Sequence, residues 1–244
     1  MITKLAVCGK GGSGKTVLAA LLVRVFSERG LLVLAVDLDA NPGLAVALGI
    51  PPYDIALPDT AVERRPDVPY GWGLARHLTA AEAVRRYSIR VADKVSFMGY
   101  GNMAGVDTPI HRYLTAVREV ATGFDEPGWV VVTDLAPGPT GPFEGYARLA
   151  TVALVTVEAT ATSILTARRL GEILRHDGVP VEVVASKVRS SEDVERITEW
   201  STPFAVIPDD AQVRQLGREG SLVGLDAWSP ALTGVRQLVT KLGF

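Results

Sequence analysis

The octet Gly9-Lys10-Gly11-Gly12-Ser13-Gly14-Lys15-Thr16 fits the spacing G-x-x-x-x-G-K-[ST]. Its glycines let the backbone bend until successive N–H groups face a polyphosphate, and a helix starting at the loop adds positive potential. In such a loop Lys15 reaches the β- and γ-phosphates, and the Thr16 hydroxyl ligates Mg²⁺. Acidic residues follow at Asp37-Leu38-Asp39 and at Asp134, each closing an apolar run. A carboxylate brought to the C-terminal edge of a parallel sheet stands where open α/β sheets bind ligands, and Asp134 is placed to hold Mg²⁺ as a Walker B aspartate does. The chemistry open to this set is metal-assisted phosphoryl transfer.

Lys10 is a second lysine in the loop. The chain holds 6 lysines against 19 arginines, so a basic position without special demand is usually Arg. Arg does not replace a compact ammonium. Lys10 is either a solvated loop charge or a cation serving a nucleotide held by a second subunit, as an arginine finger given in trans does.

These residues need a scaffold, and the sequence supplies one. Leu5-Ala6-Val7-Cys8 suits a buried strand, and Val17, Leu18, Leu21, Leu22, Val25 and Phe26 recur at helical spacing up to Gly30. The runs Leu31–Val36 and Gly128–Thr133 are strands that deliver the acidic residues. Further strands are expected at 95–98, 151–157, 181–185 and 204–207, with helices near 109–121, 161–175, 192–200 and 230–242. Thr79-Ala80-Ala81-Glu82 is a capping box opening a short helix. Residues 51–72, rich in Pro, Asp and Arg without a clear period, read as an exposed excursion, and 99–105 as a flexible glycine-rich loop. The alternation implies an α/β fold with a doubly wound, mostly parallel sheet, in one domain over residues 1–244.

The formal net charge of −2 gives no global basic field for nucleic acid or membrane. Cys8, the single cysteine, can form no internal disulfide and reads as core. No signal-peptide pattern and no bilayer-length apolar run is present, so a cytoplasmic chain is expected. His77 and His176 stand alone as surface or loop residues.

The loop from Lys10 to Thr16 resembles the deviant Walker A loop of the nitrogenase iron protein, MinD and ParA group, within the SIMIBI-type P-loop NTPases. The resemblance implies ATP and Mg²⁺ as cofactors and a homodimer that sandwiches ATP, with Lys10 crossing to the facing subunit. Asp37-Leu38-Asp39-Ala40-Asn41-Pro42-Gly43 is similar to the group's first switch, which implies that Asp39 positions the attacking water and Asp37 sits near Mg²⁺. Asp134-Leu135-Ala136-Pro137-Gly138 resembles the second switch, which responds to the γ-phosphate. Contacts to the base are implied near Ser186-Lys187 and Pro208-Asp209, with Val17 lending its backbone N–H. Ser186 stands where the group usually has asparagine, and one hydroxyl replaces an acceptor and an NH₂ donor.

Within the group the chain looks most like the CooC-type ATPases, which mature carbon monoxide dehydrogenase by aiding nickel insertion. The likeness covers nearly the full length and rests on Phe97-Met98-Gly99 before the glycine-rich loop, Ile207-Pro208-Asp209 and the terminal helix from Pro230. It departs at Gly105-Val106-Asp107-Thr108-Pro109, which lacks the C-x-C pair those proteins use for metal. A thiolate-free loop makes no soft Cys₄ site across a dimer. Asp107 and His111 lie four apart, either as a metal pair or, more in keeping with a helix start, with Asp107 as a cap. The lack of cysteines also removes a bridging iron–sulfur cluster. Leu232, Val235, Leu238, Val239 and Leu242 form an apolar stripe with only Arg236 and Lys241 basic beside it, which reads as a helix packed on its own domain, not on a membrane. The arginines are scattered and do not gather into a nucleic-acid face. The expectation is a homodimeric switch that hydrolyses ATP slowly as an accessory or maturation factor for an unidentified client protein. The alternatives are a ParA/MinD-type positioning or partitioning ATPase and a non-hydrolysing nucleotide-sensing scaffold.

Overall fold

The computed structural model of the protein describes residues 3–39, 41–51, 57–99 and 110–244. Ten strands appear among them: β1 (Thr3–Gly9), β2 (Leu32–Leu38), β3 (Val62–Arg64), β4 (Trp72–Leu74), β5 (Ile89–Ala92), β6 (Val95–Gly99), β7 (Trp129–Leu135), β8 (Val152–Val157), β9 (Val181–Val188) and β10 (Ala205–Pro208). Eight of them form one sheet in the order β10-β9-β8-β1-β7-β2-β6-β5. Every neighbouring pair is parallel except β5 with β6. The winding runs from β1 to one edge, returns through β7, and then continues from β8 to the other edge. Its reversal beside β1 opens the crevice where such sheets take ligands.

The alternation along each strand sends side chains to two separate cores. Leu5 and Val7 of β1 meet α1 (Lys15–Glu28), α2 (Gly43–Ala47) and α9 (Pro230–Lys241), whereas Ala6 and Cys8 meet the opposite layer. That layer holds α3 (Ala80–Tyr87), α4 (Ile110–Gly123), α6 (Ala161–His176) and α7 (Ser191–Thr198). Both faces of the central strands are covered, and their sequences accordingly read as continuous apolar runs. The short α5 (Thr140–Phe143) follows β7, and α8 (Ala211–Glu219) follows β10.

Cys8 is fully buried in a core, as its place in β1 implies, and burial pushes its thiol up to about 12. Thr79 and Glu82 form both bonds of the capping box at the start of α3. In α9, Leu232, Val235, Leu238 and Val239 are fully buried, each contributing roughly 1.5–3 kcal/mol of transfer energy. The ring of Phe244 stacks edge-on against Phe26 of α1 at 5.0 Å. The stripe therefore faces the protein's own core. No helix among the described residues is long and apolar enough to cross a membrane.

The structure corrects one segment. The described part of 51–72 is not an exposed excursion. β3 and β4 pair as an antiparallel hairpin that puts Leu57, Ala61, Val62 and Leu74 into the core beside α4. Glu119 of α4 anchors it, accepting from the Leu74 N–H at 2.7 Å and from Arg65 at 3.1 Å. Three-residue strands are too short to show a period, so the apolar residues among the charges went unread. β5 and α8 were also not anticipated.

Candidate functional site

β1 runs straight into the loop. At Gly9 the chain passes so close to β8 that a Cβ would meet Thr156 Oγ1 at 2.2 Å, so no side chain fits there. The Thr156 hydroxyl donates to the Cys8 carbonyl at 3.1 Å and accepts from Ser13 Oγ at 2.6 Å. Ser13 is fully buried; its side chain braces the loop from below, and its N–H donates to the Lys10 carbonyl at 3.1 Å. Gly11 and Gly12 lie exposed at the tip, and Gly14 opens α1 in the left-handed conformation.

Lys15 is buried, with its ammonium donating to the Lys10 carbonyl at 3.4 Å. Lys10 is half-buried, and its ammonium reaches the Gly11 carbonyl at 3.4 Å. The Thr16 hydroxyl donates to Asp134 Oδ2 at 2.6 Å. Asp134 and Asp37 are register partners on β7 and β2, both buried. Asp37 accepts the N–H groups of Asp39 and Leu44, each at 3.0 Å, one on each oxygen. It is thereby committed to shaping the turn into α2. Half-buried Asp39 accepts from the Asn41 N–H at 3.0 Å. The same turn brings Gly43 against Thr16, a Cβ there standing 3.3 Å from Thr16 Cγ2. On the other side the Gly138 N–H donates to the Gly9 carbonyl at 3.0 Å. Both segments after the acidic strands are thus bonded to, or packed on, the phosphate loop.

Three carboxylates crowd this edge. Burial first, then Asp134, raises Asp37 well above the usual carboxylate range. Burial raises Asp134 to about 7; the Thr16 bond and Lys15 oppose the rise, and Asp39 adds to it. Asp134 Oδ1 is buried with no hydrogen-bond partner. An orphaned carboxylate oxygen beside a threonine hydroxyl fits a hard divalent cation, which takes its remaining ligands from phosphate and water. Among the described residues no three His, Cys, Asp or Glu side chains converge as a dedicated metal cage. Residues 105–109 lie outside the described residues, as does the His111 side chain, so the Asp107–His111 pairing is not seen. His77 and His176 are exposed.

An acid whose folded pKa lies above its unfolded 3.8 holds its proton more tightly when folded, so its contribution to stability falls as pH climbs towards about 7 and then levels. Asp134→Asn is therefore expected to raise the thermal midpoint in metal-free buffer at about pH 8 by roughly 3–8 °C, with little gain near pH 4. Paired melts at the two pH values check this, and an equal shift at both would remove the buried charge as its cause.

The residues expected around the base are only partly free for one. Ser186 is buried with its hydroxyl 2.8 Å from where a Cβ on Gly14 would stand. The Lys187 ammonium is on the Gly12 carbonyl and pairs with Glu158 at 3.4 Å. Asp209, next to Pro208 at the end of β10, is held by Arg189 at 3.0 Å and Arg214 at 2.5 Å. Val17 and Thr16 line a cleft of about 470 Å³ between α1, α2 and the residues after α8. Sequence reasoning missed Thr156, Glu158 and Asp210. The last caps α8 and also accepts from Ser229 at the start of α9, and its cap position before Ala211 was readable. Thr156 carries no such signal, because nothing local says a strand residue will lie under the loop.

The chain resembles known proteins in sequence and in fold. Residues 5–223 match the family model described as the CobQ/CobB/MinD/ParA nucleotide binding domain. The carbon monoxide dehydrogenase accessory protein CooC of Rhodospirillum rubrum is 28% identical over 242 residues, covering 89% of this chain and 88% of that one. An uncharacterized ATP-binding protein of Methanocaldococcus jannaschii is 28% identical over 206 residues, covering 78% and 76%. Among solved structures, the septum site-determining protein MinD from Pyrococcus horikoshii, complexed with Mg-ADP, superposes with a TM-score of 0.75 at 20% identity, covering 99% and 96%.

Proposed function

This chain belongs to the CobQ/CobB/MinD/ParA nucleotide-binding family of P-loop NTPases, and we propose that it is an ATP-driven homodimeric switch serving as an accessory factor to a client protein. The observation that carries the reading is the gathering of Lys15, Thr16, Asp37, Asp39 and Asp134 at one sheet edge, with Thr16 bonded to Asp134, Asp37 bonded to the N–H groups of Asp39 and Leu44, and Gly138 bonded to Gly9. Gly43 packs on Thr16 and the Gly138 N–H holds the Gly9 carbonyl, so a ligand that shifts the loop would shift both chain segments. The N–H groups of Gly11, Gly12 and Gly14 to Thr16 cradle the phosphates and Lys15 neutralises them, the Ser13 N–H being held by the Lys10 carbonyl. Thr16 and Asp134 would hold Mg²⁺, which when bound offsets charge on the phosphate oxygens. Asp39 orients the attacking water, and Lys10 meets the nucleotide of the facing subunit.

The accessory role is supported by the likeness to CooC across most of both chains. With Cys8 its only cysteine, and buried, the chain offers no thiolate pair for a soft metal, so the switch is proposed to act on its client without a nickel site of its own. A ParA/MinD-type positioning role is the second reading, supported by the shared fold. The inward-facing stripe of α9 and the net charge of −2 weigh against membrane or nucleic-acid attachment through them.

Light scattering coupled to size exclusion tests the switch. MgATP is expected to yield a dimer where ADP leaves mostly monomer, and Lys10→Ala is expected to bind ATP as a monomer with at least about tenfold less turnover. Equal mass and turnover for wild type and Lys10→Ala would reduce Lys10 to a loop charge and end the sandwich-dimer reading.

A further inference from the structure

We infer that Lys187, which lies outside the phosphate-loop motif, is a positioning residue that locks the Gly12–Ser13 peptide of the loop in the orientation a nucleotide requires. The inference rests on the nucleotide-binding reading of that loop and assigns a task to a residue otherwise expected at the base.

Three independent features meet at Lys187. The register between β9 and β10 pairs Ser186 with Ile207 and then Val188 with Pro208, which leaves Lys187 as an unpaired extra residue. Such a bulge bends the strand and re-aims a side chain. The backbone there is left-handed, with φ of 56°, a conformation costly for any residue with a Cβ. Glycine or asparagine would sit there more easily, so the lysine is kept for what its side chain does. That side chain crosses under the loop. Its Cε lies 3.9 Å from where a Cβ on Gly14 would stand, and its ammonium donates to the Gly12 carbonyl. Glu158 holds the same ammonium at 3.4 Å and is itself fixed by its N–H on Ser163 Oγ at 3.0 Å, at the start of α6.

The peptide needs such a hold. Gly12 is exposed at the loop tip with φ of +81°, and a glycine can change its dihedrals at little steric cost. In a trans peptide the carbonyl of Gly12 and the N–H of Ser13 point to opposite sides. Lys187 takes the carbonyl, and the Lys10 carbonyl takes the Ser13 N–H at 3.1 Å, so the plane is gripped at both edges. Released at one edge, it could rotate and turn a carbonyl dipole towards the phosphates, repelling the anion that the loop exists to attract. Ser186 allows the approach, because its small side chain lets β9 close on Gly14.

The test uses the full chain and two variants that separate charge from backbone. Lys187→Met keeps the stem and the backbone demand but removes the ammonium; Lys187→Gly relieves the backbone and also removes it. Both are expected to weaken MgADP and MgATP binding, read by calorimetry, by about ten- to a hundredfold. In nucleotide-free protein, both should speed amide exchange of the peptide spanning 9–16 by about tenfold, while β8 and β9 keep wild-type protection. Glu158→Gln should lose less and add little to Lys187→Met, because both act through one ammonium. Wild-type affinity in Lys187→Met, restored affinity in Lys187→Gly, or unchanged exchange over 9–16 would each overturn the inference. If the wild type itself bound no nucleotide, the proposed function would fall, while the exchange measurement would still decide whether Lys187 orders the loop.

Discussion

Lys15→Ala is expected to abolish measurable MgATP binding, a loss of about a hundred- to a thousandfold, from removing one partner of a buried charge pair. Lys15 is buried, and the Lys10 carbonyl is its hydrogen-bond acceptor, so its ammonium has little bulk water to lose when a phosphate arrives. It is also the cation that restrains Asp134, whose carboxyl already stands at about 7. Without it Asp134 holds its proton more firmly and becomes a poorer ligand for Mg²⁺, so the variant loses the phosphate contact and weakens the metal site together. Titration calorimetry on a variant shown by circular dichroism to be folded decides the matter. Unchanged affinity would mean that the loop does not bind the nucleotide as assigned.

Asp39→Ala is expected to keep nucleotide binding within about threefold while lowering phosphate release by roughly a hundred- to ten-thousandfold, the range for losing a positioned proton acceptor. The three carboxylates are not equivalent. Asp37 gives one oxygen to each of two backbone N–H groups, and Asp134 gives one to Thr16. Only Asp39 of the three is partly exposed, on a turn one residue beyond β2, where it can reach a water. Removing it leaves Lys15, Thr16 and Asp134 in place, so binding and turnover should separate. An ATP-bound dimer that persists in light scattering is the accompanying result. Equal phosphate release by the two proteins would take Asp39 out of the reaction.

The residues that carry these expectations were legible because each belongs to a pattern with a local cause. The octet must be glycine-rich to bend, and β1, β2 and β7 are buried on both faces, so each reads as an apolar run, β2 and β7 closing on Asp37 and Asp134. The capping box and the inward stripe of α9 were legible for the same reason. What escaped depends on chain segments far apart in sequence. Thr156 braces Ser13 across 143 positions, and Lys187 meets Gly12 across 175. The reading of Ser186, Lys187, Pro208 and Asp209 as base contacts was implied by the resemblance, whereas the Lys187 side chain lies on the Gly12 carbonyl and Asp209 on the Arg189–Arg214 pair. The β3–β4 hairpin escaped for the opposite reason: its strands are so local that three residues apiece leave no pattern.

The central place of β1 sets the order in which the protein can be made. Thr3 pairs with Val130 on one side, and Leu5 pairs with Val152 on the other. Val130 follows Thr3 by 127 positions and Val152 follows Leu5 by 147, so the strand that feeds the loop leaves the ribosome long before either neighbour. At about 5–20 residues per second the apolar run Leu5–Cys8 waits roughly 6–30 s without a partner. Contacts of such long separation also close slowly once they become possible. The brace from Thr156 to Ser13 comes later still, so the loop takes its shape only after β8 has docked. A nascent chain therefore has no braced loop until β8 has followed and docked beside β1.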